Sequence, residues 1–144
     1  MPNNKITVTT LSRERHMEAS NEEGGKIRMD GHREIGGLEG GMSPMQLLLA
    51  ASGGCSTIDI VNILKKQKQE VKRITVEVDG DRQPVETWSE FKTIHMHYTL
   101  EGDLDPKKVE KAVSLSVEKY CSVSKALEKG SKITWSFDIR PSDT

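Results

Sequence analysis

Two cysteines are the residues of this sequence best suited to chemistry. Cys55 and Cys121 are the only thiols in the 144 residues, and they lie far apart in the chain. A thiol can act as a nucleophile, a metal ligand or one half of a redox pair. Neither cysteine belongs to a CxxC motif, so the sequence does not indicate a zinc ribbon or a thioredoxin-like site. Because two cysteines are too few to staple a secreted scaffold, and the N-terminus lacks the apolar core of a signal peptide, we expect free thiols in a reducing, cytoplasmic location.

Cys55 falls in the middle of a long apolar helix. At about 100° per residue, the cysteine lies in line with Ser52 and with Asp59, the one ionisable group on this face. Gly53 and Gly54 directly precede it. A glycine in mid-helix costs about 1 kcal/mol relative to alanine, and we expect it to permit close approach of another backbone beside the sulfur. The alternative is an inert buried cysteine, which is what most free cysteines are.

Cys121 stands at the start of a short helix, which is predicted over residues 122–129 and closed by Gly130. The first N–H groups of a helix carry partial positive charge, which favours a thiolate. A packing role is the alternative for this residue as well.

Other candidate binding residues are weaker. His95 and His97 lie on one face of a predicted strand and could bind a metal with Cys55 as a third ligand. We favour the alternative of an exposed polar strand face, because no motif supports the metal, and we expect neither a metal nor a cofactor.

Charge and hydropathy exclude two further kinds of partner. The 21 basic and 22 acidic residues leave a formal charge of −1, so the basic excess typical of nucleic-acid binding is missing. The longest apolar stretch, at residues 47–64, contains serine, glycine, aspartate and asparagine. A membrane span rarely tolerates that many polar groups, so we expect neither a nucleic acid nor a membrane as a partner.

The order of the elements predicts an α+β fold. Alternating apolar residues predict strands, and longer apolar periods, with Ser43 as an N-cap, predict helices. The strands are expected at 5–11, 13–20, 26–30, 71–80, 91–100 and 132–140, and the helices at 44–68, from 106 onward and at 122–129. Neither a repeat nor a linker interrupts the βββ–α–ββ–αα–β order, so we expect a single domain over residues 1–144.

Two segments resemble a known family. The segment at residues 43–56 reads SPMQLLLAASGGCS and resembles the OsmC/Ohr signature (S/N)P-x-(E/Q)-L-L-x-A-A-x-x-x-C. The segment at residues 120–127, YCSVSKAL, is similar to the second motif of that family, C-P-V-S-x-x-L. The separation of the motifs and the order of the elements also fit, so the resemblance covers essentially the whole chain. The run GGCSTIDI at residues 53–60 is most similar to the YhfA-like branch.

This resemblance implies an OsmC-like fold and thiol-based reduction of organic hydroperoxides. In the family, the first cysteine, here Cys55, attacks the peroxide oxygen and becomes a sulfenic acid. The second cysteine, here Cys121, condenses with it to a disulfide, which an external dithiol such as a lipoyl protein reduces. A resolving thiol returns the sulfenate to a recyclable state and prevents over-oxidation. The two sulfurs must therefore meet in space.

The resemblance also implies an arginine that activates the thiolate and a glutamate that orients the arginine. Arg33, in a loop with five glycines between residues 31 and 43, is the arginine that the resemblance favours. Glu34 or Glu39 could orient it. The glutamate of the family directly follows the Ser/Asn-Pro pair, and this sequence has Met45 at that position.

Two alternatives to an enzyme stay open. A non-catalytic OsmC-like module would use the same cleft for a small apolar or thiol-reactive ligand, and Met45 favours this reading. A structural protein with inert cysteines would instead place the two sulfurs far apart.

The composition predicts a homodimer. Apolar residues make up 34% of the chain and aromatic residues only 4%, so one copy has few bulky side chains with which to fill a core. The long helix is apolar on nearly every side and calls for burial on all sides, whereas one set of short strands covers only one side. A second copy would cover the rest, and the resemblance implies the same arrangement, an intertwined homodimer with each site built from both subunits.

Overall fold

A computed structural model of the chain describes residues 4–31, 37 and 40–142. The described elements follow the predicted α+β order, βββ–α–ββ–αα–β. They are β1 (Thr7–Thr10), β2 (His16–Ser20), β3 (Lys26–Asp30), α1 (Pro44–Lys66), β4 (Arg73–Pro84), β5 (Ser89–Glu101), α2 (Pro106–Leu115), a π-helical turn (Ser116–Tyr120), α3 (Ser122–Leu127) and β6 (Lys132–Arg140). The chain divides into two compact units, residues 1–48 and residues 49–144.

The first unit contains an antiparallel sheet in the order β1-β2-β3. The turn between β2 and β3 is held by the side chain of Asn21, which accepts hydrogen bonds from the N–H groups of Glu23 and Gly25. This is the local bonding that makes asparagine a turn residue. At the end of β3, the buried carboxylate of Asp30 pairs with Arg13 and accepts the N–H of Gly31 at 2.8 Å.

Helix α1 begins with a capping box. The hydroxyl of Ser43 accepts the N–H of Gln46 at 3.2 Å, and the Gln46 side chain accepts the N–H of Ser43 at 2.9 Å, so Ser43 is the N-cap that the sequence predicts. The helix ends at Lys66, two residues before the predicted end, because Lys68 adopts a left-handed conformation with φ 59°. The N–H of Gln69 then bonds to the carbonyl of Leu64 at 2.9 Å, which closes the helix as in a Schellman motif.

The second unit contains a sheet in the order β4-β5-β6, in which β4 and β5 are antiparallel and β5 and β6 are parallel. One face of β5 is fully buried through four alternate residues, and α2 contributes three more side chains to the core. These residues are Ile94, Met96, Tyr98, Leu100, Val109, Ala112 and Val113.

The buried stripe of α1 packs on this sheet. Its buried residues are Ser52, Gly53, Ser56, Ile60 and Leu64, which repeat at helical spacing. A Cβ at position 53 would lie 3.2 Å from methyl groups of both Val76 and Val78 on β4. The close approach expected beside the sulfur is therefore made by side chains of β4 at Gly53 rather than by another backbone. At Gly54 a Cβ would meet no atom within 4 Å among the described residues.

The opposite stripe of α1 is open in the single chain. Ala51 and Gly54 are exposed, and Ile58 is 64% exposed. In the part of the chain that the structure describes, α1 is the one helix long and apolar enough to cross a membrane. Only the length and the composition of α1 fit a membrane-spanning helix, and the core helix of a soluble protein can have the same length and composition.

Candidate functional site

Cys55 is carried by the middle of α1, at the border between its buried and exposed stripes. Its side chain is half-buried and the cysteine is free. The next residue, Ser56, is fully buried, whereas the preceding residue, Gly54, is exposed. This position buries part of the Cys55 side chain within the second unit and leaves the rest accessible to a reactant.

Cys121 is carried by the junction between the π-helical turn and α3. In the π turn the N–H of Cys121 bonds to the carbonyl of Ser116 at 2.7 Å, five residues earlier. Single π turns of this kind occur frequently at functional sites. Cys121 is then the N-cap of α3, because its sulfur accepts the N–H of Ser124 at 3.4 Å. The widened turn thus fixes where the buried sulfur points.

The two sulfurs and one carboxylate meet in the second unit. Sγ of Cys55, Sγ of Cys121 and a carboxylate oxygen of Asp59 all lie within 4.8 Å of one another. Cys55 and Asp59 are one helical turn apart on α1, as the sequence predicts. The alternative of inert cysteines predicts distant sulfurs, and the structure contradicts it. A disulfide between the two thiols would require their sulfurs to close from at most 4.8 Å to about 2.0 Å.

Burial raises the pKa of the Cys121 thiol, and the neighbouring Cys55 thiol adds to this rise. Hydrogen bonding from Ser124 lowers the pKa but does not outweigh burial. The N–H of Ser124 at the helix start lowers the pKa of Cys121, as expected, but desolvation of the fully buried sulfur is the larger effect, so the net shift is upward. Desolvation therefore favours the neutral form of the Cys121 thiol.

Ser116 connects the two elements that carry the cysteines. Its hydroxyl donates to the carbonyl of Ser56 at 2.8 Å, one residue after Cys55, and its own carbonyl accepts the N–H of Cys121. Both serines are fully buried. Two hydrogen bonds through one residue therefore set the spacing between α1 and the turn that bears Cys121, and we call this connection the Ser116 bridge.

Substitution of Ser116 by alanine should remove one bond of the Ser116 bridge. We expect the free energy of unfolding to fall by about 1–2 kcal/mol, since the Ser56 carbonyl loses a buried donor. We also expect oxidation of the reduced pair to a disulfide to slow several-fold, because the two sulfurs are less well aligned. Denaturant unfolding and the rate of thiol loss with diamide measure the two effects. Ser114→Ala removes a hydroxyl from α2 and is the control; equal oxidation rates in the two variants would contradict the bridging role.

Tyr98 lies beside the same network on the buried face of β5. Its hydroxyl shares a hydrogen bond of 2.6 Å with Ser56, whose hydroxyl also reaches the carbonyl of Ser52 at 2.8 Å. Burial raises the pKa of Tyr98 to about 12, the hydrogen bond to Ser56 partly offsets this rise, and the negative charge that Cys121 acquires at high pH adds to it. The tyrosine thus links the sheet to α1 at Ser56, the residue after Cys55.

The Tyr98 shift predicts a loss of stability at high pH. A folded-state pKa above the ordinary 10.0 means that the unfolded chain loses this proton first as the pH rises. The stabilisation is complete below pH 10 and should decline by roughly 2–3 kcal/mol as the pH rises to about 12. Tyrosinate absorbance and denaturant unfolding between these pH values measure it. Tyr98→Phe should remove the late absorbance step and Tyr120→Phe, which removes the other tyrosine, should keep it; a late step that survives Tyr98→Phe would contradict the assignment.

Of the remaining sequence-predicted residues, the structure describes His95 and His97, and neither joins this cluster. Arg33, with Glu34 and Glu39, lies outside the described residues. Both histidines hydrogen-bond to side chains of β6. His95 bonds to Thr134 and Ser136, and His97 bonds to Ser136 and Asp138. Within residues 4–31, 37 and 40–142, the group with metal-ligand geometry around Cys55 contains neither histidine.

Sequence reasoning misses the residues that connect the two cysteines, namely Ser56, Tyr98 and Ser116. One signal was available, because Tyr98 follows Ile94 and Met96 on the apolar face of a predicted strand. A buried tyrosine hydroxyl needs a hydrogen-bond partner. Ser56 and Ser116 give no such signal, since small serines are common in helices.

The fold is that of a recognised class. Residues 36–136 match the family model described as OsmC-like protein, and the chain belongs to the OsmC-like family. Protein YhfA of Escherichia coli strain K12 is 41% identical over 117 residues, which cover 81% of this chain and 84% of YhfA. Family membership and two neighbouring cysteines are consistent with a redox role.

Solved structures share the fold. A hypothetical protein from Aquifex aeolicus VF5 superposes with a TM-score of 0.84 and 30% identity over 99% of this chain and 100% of that one. The organic hydroperoxide resistance protein OsmC from Legionella pneumophila superposes with a TM-score of 0.75 and 18% identity over 96% of this chain and 98% of that one. OhrB of Bacillus subtilis, an organic hydroperoxide resistance protein, superposes with a TM-score of 0.67 and 18% identity over 94% of this chain and 98% of that one.

Proposed function

We propose that the protein reduces organic hydroperoxides with Cys55 as the peroxidatic and Cys121 as the resolving cysteine. The observation that carries the proposal is the distance between the two sulfurs, at most 4.8 Å. The choice of oxidant is supported by two proteins of the same fold, from Legionella pneumophila and Bacillus subtilis, which are organic hydroperoxide resistance proteins.

The unequal burial of the two cysteines supports their roles. Cys55 is half-buried and Cys121 is fully buried, so a hydroperoxide reaches Cys55 first. Attack by the Cys55 sulfur on the distal peroxide oxygen gives Cys55 sulfenic acid and an alcohol. Cys121 then displaces water from the sulfenic acid, and the pair becomes a disulfide. An external dithiol returns both thiols and is itself oxidised to a disulfide, so the two electrons that reduce the peroxide come from that donor.

The surroundings of Cys55 favour an alkyl hydroperoxide over hydrogen peroxide. The exposed stripe next to it presents Ala51, Gly54 and Ile58, which are small or apolar. In the homodimer proposed below, each site is built from both subunits, so an alkyl or aryl group can bury its surface beside Cys55 where the partner meets this stripe, whereas hydrogen peroxide gains nothing from such contact. We assign Arg33 the role of favouring the Cys55 thiolate, as the family resemblance implies, and a lipoyl protein is the class of dithiol that the same resemblance suggests.

We also propose that the working form is a cytoplasmic homodimer in which residues 1–144 act as one domain. The exposed apolar stripe of α1 supports the dimer, since a second copy of the same helix would bury Gly54 and Ile58. The absence of a nucleic acid or membrane partner stays a prediction from composition.

A steady-state assay tests the function. Reduced protein should consume cumene hydroperoxide in the presence of dihydrolipoamide, and it should consume it faster than hydrogen peroxide at equal concentration. The same protein alkylated at its thiols with iodoacetamide is the control and should be inactive. Equal consumption by native and alkylated protein would refute the proposal.

A non-catalytic module that binds a small apolar or thiol-reactive ligand is the second candidate. The observation that favours it is Met45, which occupies the position of the glutamate that orients the arginine in the family. A Cys55→Ser variant separates the two functions, because binding of an apolar ligand should survive the substitution and peroxide turnover should not.

A further inference from the structure

The carboxylate of Asp59 has no role in the proposed peroxide chemistry, yet it lies beside both sulfurs. Its Oδ2 atom is buried and makes no hydrogen bond to any described residue. A buried carboxylate oxygen without a partner is costly, so its presence needs an explanation. A carboxylate oxygen of Asp59 lies within 4.8 Å of Sγ of Cys55 and of Sγ of Cys121, which are the nearby atoms that could share a ligand with this carboxylate.

We propose that the reduced site binds one Zn²⁺ through Cys55, Cys121 and Asp59. Two thiolates and one carboxylate form a donor set that zinc prefers, and Ca²⁺ or Mg²⁺ would instead require oxygen donors throughout. In a tetrahedral site with Zn–S bonds of about 2.3 Å, two sulfurs lie about 3.8 Å apart. The observed limit of 4.8 Å is therefore within a side-chain adjustment of that geometry.

The backbone holds the three ligands in place before a metal arrives. Cys55 and Asp59 are four residues apart on α1 and project from one face of the helix. The position of Cys121 is fixed by the N-cap bond from Ser124 and by the Ser116 bridge. Three ligands on two connected elements leave the fourth position open for water or another donor, as in zinc sites with three protein ligands.

Zinc binding and disulfide formation use the same two sulfurs and exclude each other. Zn²⁺ takes both sulfurs as thiolates, so its binding releases to solvent any protons that they carry and transfers no electrons. Disulfide formation removes both ligands, so an oxidised site releases its metal. Zinc would therefore protect the reduced pair, and a hydroperoxide that oxidises the pair would free the ion. The inference concerns only the reduced site and stands whether or not the protein turns over peroxide.

Titration of the reduced protein with Co²⁺, followed by Zn²⁺, tests the proposal. Under argon, Co²⁺ should give thiolate-to-cobalt absorption that saturates at one ion per chain, and an equimolar addition of Zn²⁺ should abolish it. Protein oxidised with diamide should give no such signal. Asp59→Asn keeps both thiols and should weaken Zn²⁺ binding at least ~10-fold. Removal of a residue that only hydrogen-bonds to a metal ligand already lowers metal affinity by ~10- to 100-fold. Asp79→Asn, on the exposed face of β4, is the matched control and should bind like the unchanged protein.

Two results would overturn the zinc site. One is the absence of saturable thiolate-to-cobalt absorption in the reduced protein, and the other is equal Zn²⁺ affinity in Asp59→Asn and Asp79→Asn. Cys55→Ser provides a second test that does not depend on the carboxylate, since it should lose most of the absorption. Because the hydroperoxide assay can be run with EDTA, a failure of zinc binding is distinguishable from a failure of the proposed function.

Discussion

Replacement of Cys55 by serine should abolish hydroperoxide reduction, whereas replacement of Cys121 should stop it after one turnover. A serine hydroxyl is too weak a nucleophile to attack a peroxide oxygen without activation, so the first step is lost in Cys55→Ser. In Cys121→Ser the first step survives and leaves a sulfenic acid that no second thiol resolves. Excess peroxide should then oxidise Cys55 to the sulfinic and sulfonic acids.

Intact-protein mass spectrometry after exposure to cumene hydroperoxide distinguishes the two variants. Cys121→Ser should gain one, two and then three oxygen atoms with increasing peroxide, and dimedone should trap the first product. Cys55→Ser should stay unmodified under the same conditions and is the matched control, since each variant keeps one thiol. Oxidation of Cys121 at equal speed in Cys55→Ser would reverse the assigned roles.

Substitution of Ile58 by lysine should convert a dimer into a monomer. Ile58 is 64% exposed in the single chain and lies on the apolar stripe of α1 with Ala51 and Gly54. If a second α1 packs on this stripe, two lysines would be buried against apolar surface without a counter-charge, which costs several kcal/mol. Sedimentation should therefore give the chain mass of 16.1 kDa for the variant and twice that mass for the unchanged protein.

Val85→Lys is the matched control for this experiment. Val85 is 40% exposed and lies outside α1, so the same gain of charge should leave the dimer intact. A 16.1 kDa species for the unchanged protein at micromolar concentration would contradict the dimer. It would also leave the exposed apolar stripe of α1 without an occupant.

Elements with a clear local signal could be predicted from the sequence. β6 runs from Lys132 to Arg140, as expected from its alternating apolar residues. The start of α1 follows from Ser43 as the predicted N-cap, because a cap is decided by residues within one turn of the helix start. The family motifs brought Cys55 and Cys121 into one hypothesis, and the structure places their sulfurs together.

Features that depend on tertiary packing could not be predicted in this way. The π-helical turn before Cys121 exists because Ser116 bonds to both α1 and Cys121, and no sequence period encodes that contact. The pKa of Cys121 follows from burial, which outweighs the helix-start charge that the sequence suggests. The helical period predicts Asp59 in line with Cys55. It does not predict that Oδ2 of Asp59 is buried without a hydrogen-bond partner, because that depends on the packing. Arg33 remains a prediction, since it lies outside the described residues.

A single-turnover thiol count tests the central claim most directly. Reduced protein is mixed with one equivalent of cumene hydroperoxide in EDTA, the free thiols are titrated, and the product is digested for mass spectrometry. We predict that both thiols of each chain disappear, that cumyl alcohol forms in equal amount, and that one peptide pair joins Cys55 to Cys121 with the mass of two hydrogens lost. Two titratable thiols per chain with the peroxide unconsumed would contradict this account.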